Sequence, residues 1–380
     1  MAQLPPGPAD GVLAQTVRLH RDPLGWLRGL QERFGDVATI RLATARPLVM
    51  VTEPAAVAEL AASPRAGAAR RHILPTASPR GTFGADGAAH RAARGRIEGA
   101  LSAEALARHA PAIERIAAEH VARWPSRRAF RVLPRVRSLV DDVFVRLVLG
   151  VGDEARARAA TTAVRRMLWT PGNPPFSLPG AGLAGKAAEA IFARRRAPLA
   201  AVLEEEIAAR RHAGDLGGDL IGSVLRDEPD AAPAAIVDEL LVVIMAAQEP
   251  PSIALSRLLD RRARGHEPTD SVVRETLRLW PPAFALLRTL DAPRVIAGHA
   301  LPAGVTVVLP TPLLHRDPRA FPDPDVFRPG RDGEAGTFLP FGAGARRCVG
   351  EHLAQLYFDV LLPAIEAPLQ PVAPVPDPMV

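Results

Sequence analysis

Apolar positions recur every three to four residues over most of the chain, the spacing that gathers them on one face of an α-helix. DPLGWLRGLQERFG (22–35) opens with Asp22 and Pro23 and closes at Gly35, so it carries the start and stop signals of a helix. VATIRLA and PLVMVTE follow as two short strand-like runs with a turn between them. Ala-, Arg- and Leu-rich segments at roughly 88–165, 184–212 and 233–260 return to the helical period. Proline is dense at 170–180, 281–282, 302–330 and beyond 363. With no internal repeat and no long linker, the pattern predicts a single domain over 1–380, mainly α with small β sheets.

Composition adds limits. A chain of 380 residues that is 48% hydrophobic can bury a large core. Cys348 is the sole cysteine, so no internal disulfide forms, and MAQLPPGPADGV lacks the pattern of a secretory signal; a cytoplasmic protein is expected. ELLVVIMAA (239–247) is too short to span a membrane, so no membrane partner is expected. The net charge of +6 rests on arginine, with Lys186 the lone lysine, and no basic run is interleaved with aromatics. Nucleic acid is therefore not expected as a partner.

The chemistry gathers in FGAGARRCVG (341–350). A lone cysteine is most often a small buried apolar residue. Here Gly342 and Gly344 permit a tight loop that can approach a flat ligand, and GEHLAQLYFDVLLPAI after it has helical spacing. Cys348 thus lies just before a helix N-terminus, where a thiolate is stabilised as a nucleophile or a metal ligand. His352 lies one turn on, but no residue is evidently placed to orient it as a base, which disfavours cysteine hydrolase chemistry. Thiolate ligation of haem iron is the other option.

FLPFGAGARRCVGEHLA resembles the haem-binding signature of the cytochrome P450 family, matched at Phe341, Gly342, Gly344, Arg346, Cys348 and Gly350. ETLR (Glu275, Arg278), LWPP and FRPGR (Arg331) follow in the family's order, as do HRAAR (His90, Arg94) upstream and Arg288 in FALLRTL. The resemblance runs from PPGP near the start to the helix after Cys348. It implies the cytochrome P450 fold, haem b as cofactor and Cys348 as axial ligand. It further implies Phe341 packed near the sulfur, His90, Arg94, Arg288 and Arg346 at the haem propionates, and a buried network of Glu275, Arg278 and Arg331.

The oxygen-activating helix departs from the family. AAQEPPS (246–252) places Glu249 at the acid position but Pro250 where the family carries a threonine hydroxyl. Ser252, two residues on, faces elsewhere. Pro250 and Pro251 free the carbonyls of Ala246 and Ala247 and are expected to bend the helix, so that water held there, with Glu249, replaces the hydroxyl as proton route. The interval from Glu249 to Glu275 is about three helical turns short of the family pattern, and the chain after 365 is short as well.

By similarity, the substrate faces residues 70–84 and 169–180, Leu241 to Met245, and Pro282 to Leu287. These stretches are mostly apolar, which predicts an apolar small molecule, in keeping with bacterial natural-product biosynthesis. The expected activity is monooxygenation with dioxygen and electrons from ferredoxin and ferredoxin reductase, steered by Arg346 and Arg347. Two alternatives stay open: peroxide-driven or non-oxidative chemistry on the same fold, and an inactive haem-binding scaffold that recruits a partner enzyme.

Overall fold

The computed structural model describes residues 4–42, 46–66, 81–125, 129–168, 183–331, 336–367 and 369, with 183–189 as backbone only. Helices α1 (Val12–Arg21) and α2 (Pro23–Phe34) lead into strands β1 (Val37–Ile40) and β2 (Leu48–Val51) and helix α3 (Pro54–Ala62). The expected signals act where the sequence places them. Asp22 accepts from the Gly25 N–H to cap α2, and Gly35 ends it at φ 77°.

Helices α4 (Gly87–Glu98), α5 (Ala103–Ala107), α6 (Ala110–Val121), α7 (Val132–Val143, extended by a π turn, Phe144–Val148) and α8 (Glu154–Leu168) occupy the first long periodic segment. They are followed by α9 (Leu183–Ala213), α10 (Leu220–Asp227), α11 (Pro233–Ala263) and α12 (Asp270–Leu279). The main core lies among α4 to α12: Val136, Leu139, Val140 and Val143 of α7 are sealed with Leu240, Ile244, Leu255 and Leu258 of α11. No described helix is long and apolar enough to cross a membrane.

Strands β3 (Ala285–Thr289) and β6 (Thr306–Pro310) complete a sheet ordered β1-β2-β6-β3, in which β2 and β6 run parallel and the other pairs antiparallel. Both faces are covered, which explains why these strands read as continuous apolar runs. One face, with Val37, Val49, Val51, Val307 and Leu309, packs on α3 and on Leu339 and Ala343 before the cysteine. The other, with Ala38, Ile40, Leu48, Met50 and Val308, packs on Leu27 and Leu30 of α2. Strands β4 (Arg294–Ile296) and β5 (His299–Leu301) form a separate hairpin.

After α13 (Thr311–Leu314) and the cysteine loop come α14 (Glu351–Leu356), a π turn (Tyr357–Leu361) and α15 (Leu362–Ala364). Only residues 264–269 join α11 to α12. An aromatic-cation cluster closes that junction. Arg257 and Arg261 lie 5.2 and 4.9 Å from the Trp280 ring, and His266 meets Phe327 edge-on at 4.9 Å. The tail beyond 369 lies outside the described residues.

Candidate active site

The loop before α14 is closed by its own backbone, since the Cys348 N–H donates to the Phe341 carbonyl at 2.8 Å. Gly342 and Gly344 take φ values of 70° and 62°, which favour glycine. Gly344 has a second reason to be glycine: a Cβ there would lie 2.5 Å from the Ala62 carbonyl oxygen at the end of α3. Cys348 is exposed, and Gly350 starts α14. A Cβ at Gly350 would make only ordinary contact with Cys348 Sγ, at 3.8 Å. Phe341 is half-buried against the helical core.

Four arginines meet here. Arg346 is buried and ion-paired to Asp86 at 2.5 Å, and it also donates to the carbonyls of Pro64, at 2.7 Å, and Ala85. Burial lowers its proton affinity. Arg94 of α4 donates to the Arg347 carbonyl at 2.7 Å and to Glu98, so it clamps the cysteine loop. His90 is buried one turn earlier. Arg347 is exposed and pairs with Glu351 at 2.5 Å, which offsets part of the positive face expected there.

Arg288 on β3 is 1% exposed. Its Nη groups donate to the carbonyls of Leu287 and Ala61, while Nε has no partner among the described residues. Burial, and then the like charge of Arg346, pull its pKa down to about 10.

Behind the loop, Arg278 grips Glu275 at 2.7 and 2.8 Å, Arg331 joins at 3.0 Å, and the Arg328 N–H adds a bond at 2.8 Å. Burial pushes the Glu275 carboxyl up, but these donors outweigh it and hold it low. Arg278 also donates to the carbonyl of His315 at 2.8 Å, and the His315 ring accepts the Leu339 N–H at 2.9 Å. The network therefore reaches the backbone two residues before Phe341. Sequence reasoning missed His315 and Asp86. A histidine inside the apolar run LPTPLLHRDP was the available signal for the first, and only the fold brings Asp86 to Arg346.

Helix α11 runs through Pro250 and Pro251 as one helix. Gln248 and Ser252 are fully buried, and Ser252 donates to the Gln248 carbonyl at 2.6 Å, so its hydroxyl is turned away from the Pro250 side, as expected, and lies in the core. The opposite side carries Ala246, which is exposed, and the half-buried Pro250 and Ile253. Glu249 sits on the shoulder of that side, about 60° from Ala246 around the axis. Its carboxylate is bound by Arg137 of α7: Nε donates to Oε2 at 3.0 Å and Nη2 to Oε1. Sequence reasoning missed Arg137, which no local motif marks.

Leu241, Val242 and Val243 are nearly sealed, Met245 is half-buried, and Pro282 to Leu287 form a half-buried uncharged stretch. The expected substrate-facing residues 70–80 and 169–180 lie outside the described residues.

These residues fit a haem. Arg288, a buried guanidinium with a second cation nearby and with an N–H that finds no partner among the described residues, suits an anion, which a propionate supplies. Arg94 uses three of its five N–H donors in these bonds and keeps others for a second propionate. The glycine-built loop presents one thiol beside them.

Similarity to known proteins agrees. A model described as Cytochrome P450 matches residues 267–365. Cytochrome P450 135B1 of Mycobacterium tuberculosis is 30% identical, over 94% of this chain and 84% of that protein. Cyclooctat-9-en-7-ol 5-monooxygenase of Streptomyces melanosporofaciens is 26% identical, over 90% of this chain and 84% of that one. Among solved structures, a retinoic acid-bound cyanobacterial CYP120A1 superposes with a TM-score of 0.75 at 23% identity, over 95% of this chain and 92% of that one. The heme domain of cytochrome P450DA reaches 0.76 at 20% identity, over 96% and 90%. The pairing of Glu275, Arg278 and Arg331, the glycine-built cysteine loop and the 30% identity over 94% of the chain lead to one conclusion: this chain belongs to the cytochrome P450 family.

Proposed function

We propose that the protein is a haem-thiolate monooxygenase of an apolar small molecule, with electrons from ferredoxin and ferredoxin reductase. The observation that carries this reading is the exposed Cys348 thiol in a glycine-built loop, together with the buried Arg288, whose Nε has no partner among the described residues. Cys348 would hold haem b through its thiolate, with Arg288, Arg94, Arg346 and His90 at the propionates and Phe341 and Gly350 flanking the sulfur. When bound, haem supplies the reductive activation of dioxygen.

The chain's own residues do the rest. Pro282 to Leu287, with the half-buried Met245 of α11, offer an apolar substrate surface that excludes water, whereas Leu241 to Ile244 are taken up by packing. Pro250 and Pro251 lack N–H groups, so the carbonyl oxygens of Ala246 and Ala247 lose their intrahelical donors and can hold water. The Glu249 carboxyl carries protons to that water. The activity named for the Streptomyces relative supports a monooxygenase reading. The core-facing Ser252 hydroxyl favours a second reading, peroxide-driven or non-oxidative chemistry or an inactive haem-binding scaffold, because no hydroxyl at position 250 serves oxygen activation.

The test is spectroscopic and then kinetic. The reduced protein under carbon monoxide is expected to show the strongly red-shifted Soret band of thiolate ligation, lost in Cys348→Ser. A band unchanged by that substitution overturns the ligand assignment. Substrate oxidation with ferredoxin and dioxygen supports the monooxygenase, whereas oxidation only with peroxide, or none, supports the second reading.

A further inference from the structure

We propose that Arg137 is a positioning residue for oxygen activation, setting where the Glu249 carboxylate rests and from where it moves protons. The proposal rests on the reading of Glu249 as proton carrier and adds a residue that no motif marks.

Both carboxylate oxygens of Glu249 are engaged by two N–H groups of one guanidinium, Nε and Nη2. This fork geometry fixes the plane and direction of a carboxylate, which a point charge cannot do. The side chains are 25% and 33% exposed, a range in which an ion pair adds little to stability. Nor is the pair needed to dock α7 on α11, since Val136, Leu139, Val140 and Val143 already seal that contact against Leu240 and Ile244. Its consequence is local. It holds the acid on the shoulder of α11, next to the turn where Pro250 and Pro251 leave carbonyls without helical donors. On that side of α11, Ala246, Pro250 and Ile253 carry no proton-bearing side-chain group. The geometry of Glu249 is therefore decided by Arg137, from a different helix.

The experiment uses the holoprotein and compares Arg137→Gln, Arg137→Lys, Glu249→Gln and the Arg137→Gln/Glu249→Gln double variant. The readouts are product formed per electron pair consumed, kcat and KM separately, substrate affinity from the spectral shift, haem content and thermal midpoint. Arg137→Gln is expected to lower coupled kcat about tenfold while KM, substrate affinity, haem content and midpoint stay near wild type. Arg137→Lys, which keeps the cation without the fork, is expected to recover part of that loss. It also keeps the proposal testable if the glutamine variant does not accumulate. In the Glu249→Gln background, Arg137→Gln is expected to change kcat by less than about twofold, because a residue acting through Glu249 has nothing left to position. Losses that multiply in the double variant, or wild-type coupling in Arg137→Gln, overturn the proposal while leaving Glu249 as carrier. Wild-type coupling in Glu249→Gln overturns the carrier reading itself, and the proposal with it.

Discussion

Around Cys348 the chain commits its polar groups to one another, whereas the open side of α11 carries almost none. On the cysteine side, Glu275 receives four hydrogen bonds, Arg278 ties it to His315, and His315 ties the loop backbone at Leu339. Asp86 and three backbone carbonyls hold Arg346. On the α11 side, Ala246, Pro250 and Ile253 face outward, and one ion pair from α7 governs the acid. The difference teaches where each region keeps its information. A site that must be rigid is over-determined by many bonds, each costly to lose in a buried place. A site that must pass protons to water needs a groove, a few free acceptors and one positioned acid.

The largest effect expected from breaking the cysteine side is at Glu275. Glu275→Ala leaves Arg278 buried without its counter-charge, at about 3–5 kcal/mol, comparable to a domain's whole stability. Expression is expected to yield little folded holoprotein, measured by haem per polypeptide in the soluble fraction. Full occupancy in that variant means the network is not what holds the loop.

Acid provides a second probe of the same region. Burial holds the His315 ring neutral, with a pKa of about 3 against an ordinary 6.5. Below pH 6.5 the unfolded chain takes up a proton that the folded chain refuses, so stability falls as pH drops, by about 2 kcal/mol at pH 5 from this residue alone. Glu275, held low in the fold, adds its own loss below its ordinary 4.5, since its contribution is present above that value and disappears as it protonates. Chemical denaturation between pH 7 and pH 5 is expected to show the decline, reduced in His315→Gln. A flat profile removes His315 from the account.

Gly344→Ala tests whether the loop is pressed on α3. A Cβ would sit 2.5 Å from the Ala62 carbonyl oxygen at a φ of 62°, strain of about 1–3 kcal/mol. Haem occupancy is expected to fall with the secondary structure intact, read by absorbance and circular dichroism. Unchanged occupancy means α3 yields readily.

The smallest effects are expected on α11. If Pro250 works by freeing the Ala246 carbonyl, Pro250→Thr returns an N–H to that carbonyl and should leave coupled turnover equal or lower. A rise of about tenfold, or 1.4 kcal/mol of barrier, would show instead that the natural helix is impaired for oxygen activation. Ser252→Ala is expected to change turnover by less than about twofold, because its hydroxyl is spent on the Gln248 carbonyl inside the core. A large loss there would redraw the functional face of α11.

What the sequence by itself determined were the features set by neighbours along the chain. The helix from Pro23 to Phe34 with its Asp22 cap, the apolar strands β1 and β2, the glycines around Cys348 and the core-facing turn of Ser252 all follow from local conformational rules or helical periodicity. The Glu275, Arg278 and Arg331 motif was readable as a resemblance, although its i,i+3 spacing alone is no different from a surface ion pair. Only the tertiary structure decided which distant groups complete each other: Asp86 with Arg346, His315 with Leu339, Arg94 with the Arg347 carbonyl, and Arg137 with Glu249. Such pairings are fixed by how separately folded helices and loops dock. Arginine 112 positions from its glutamate leaves no periodic or local trace, because the contact is made by the packing of α7 on α11 and not by the segments that carry its ends.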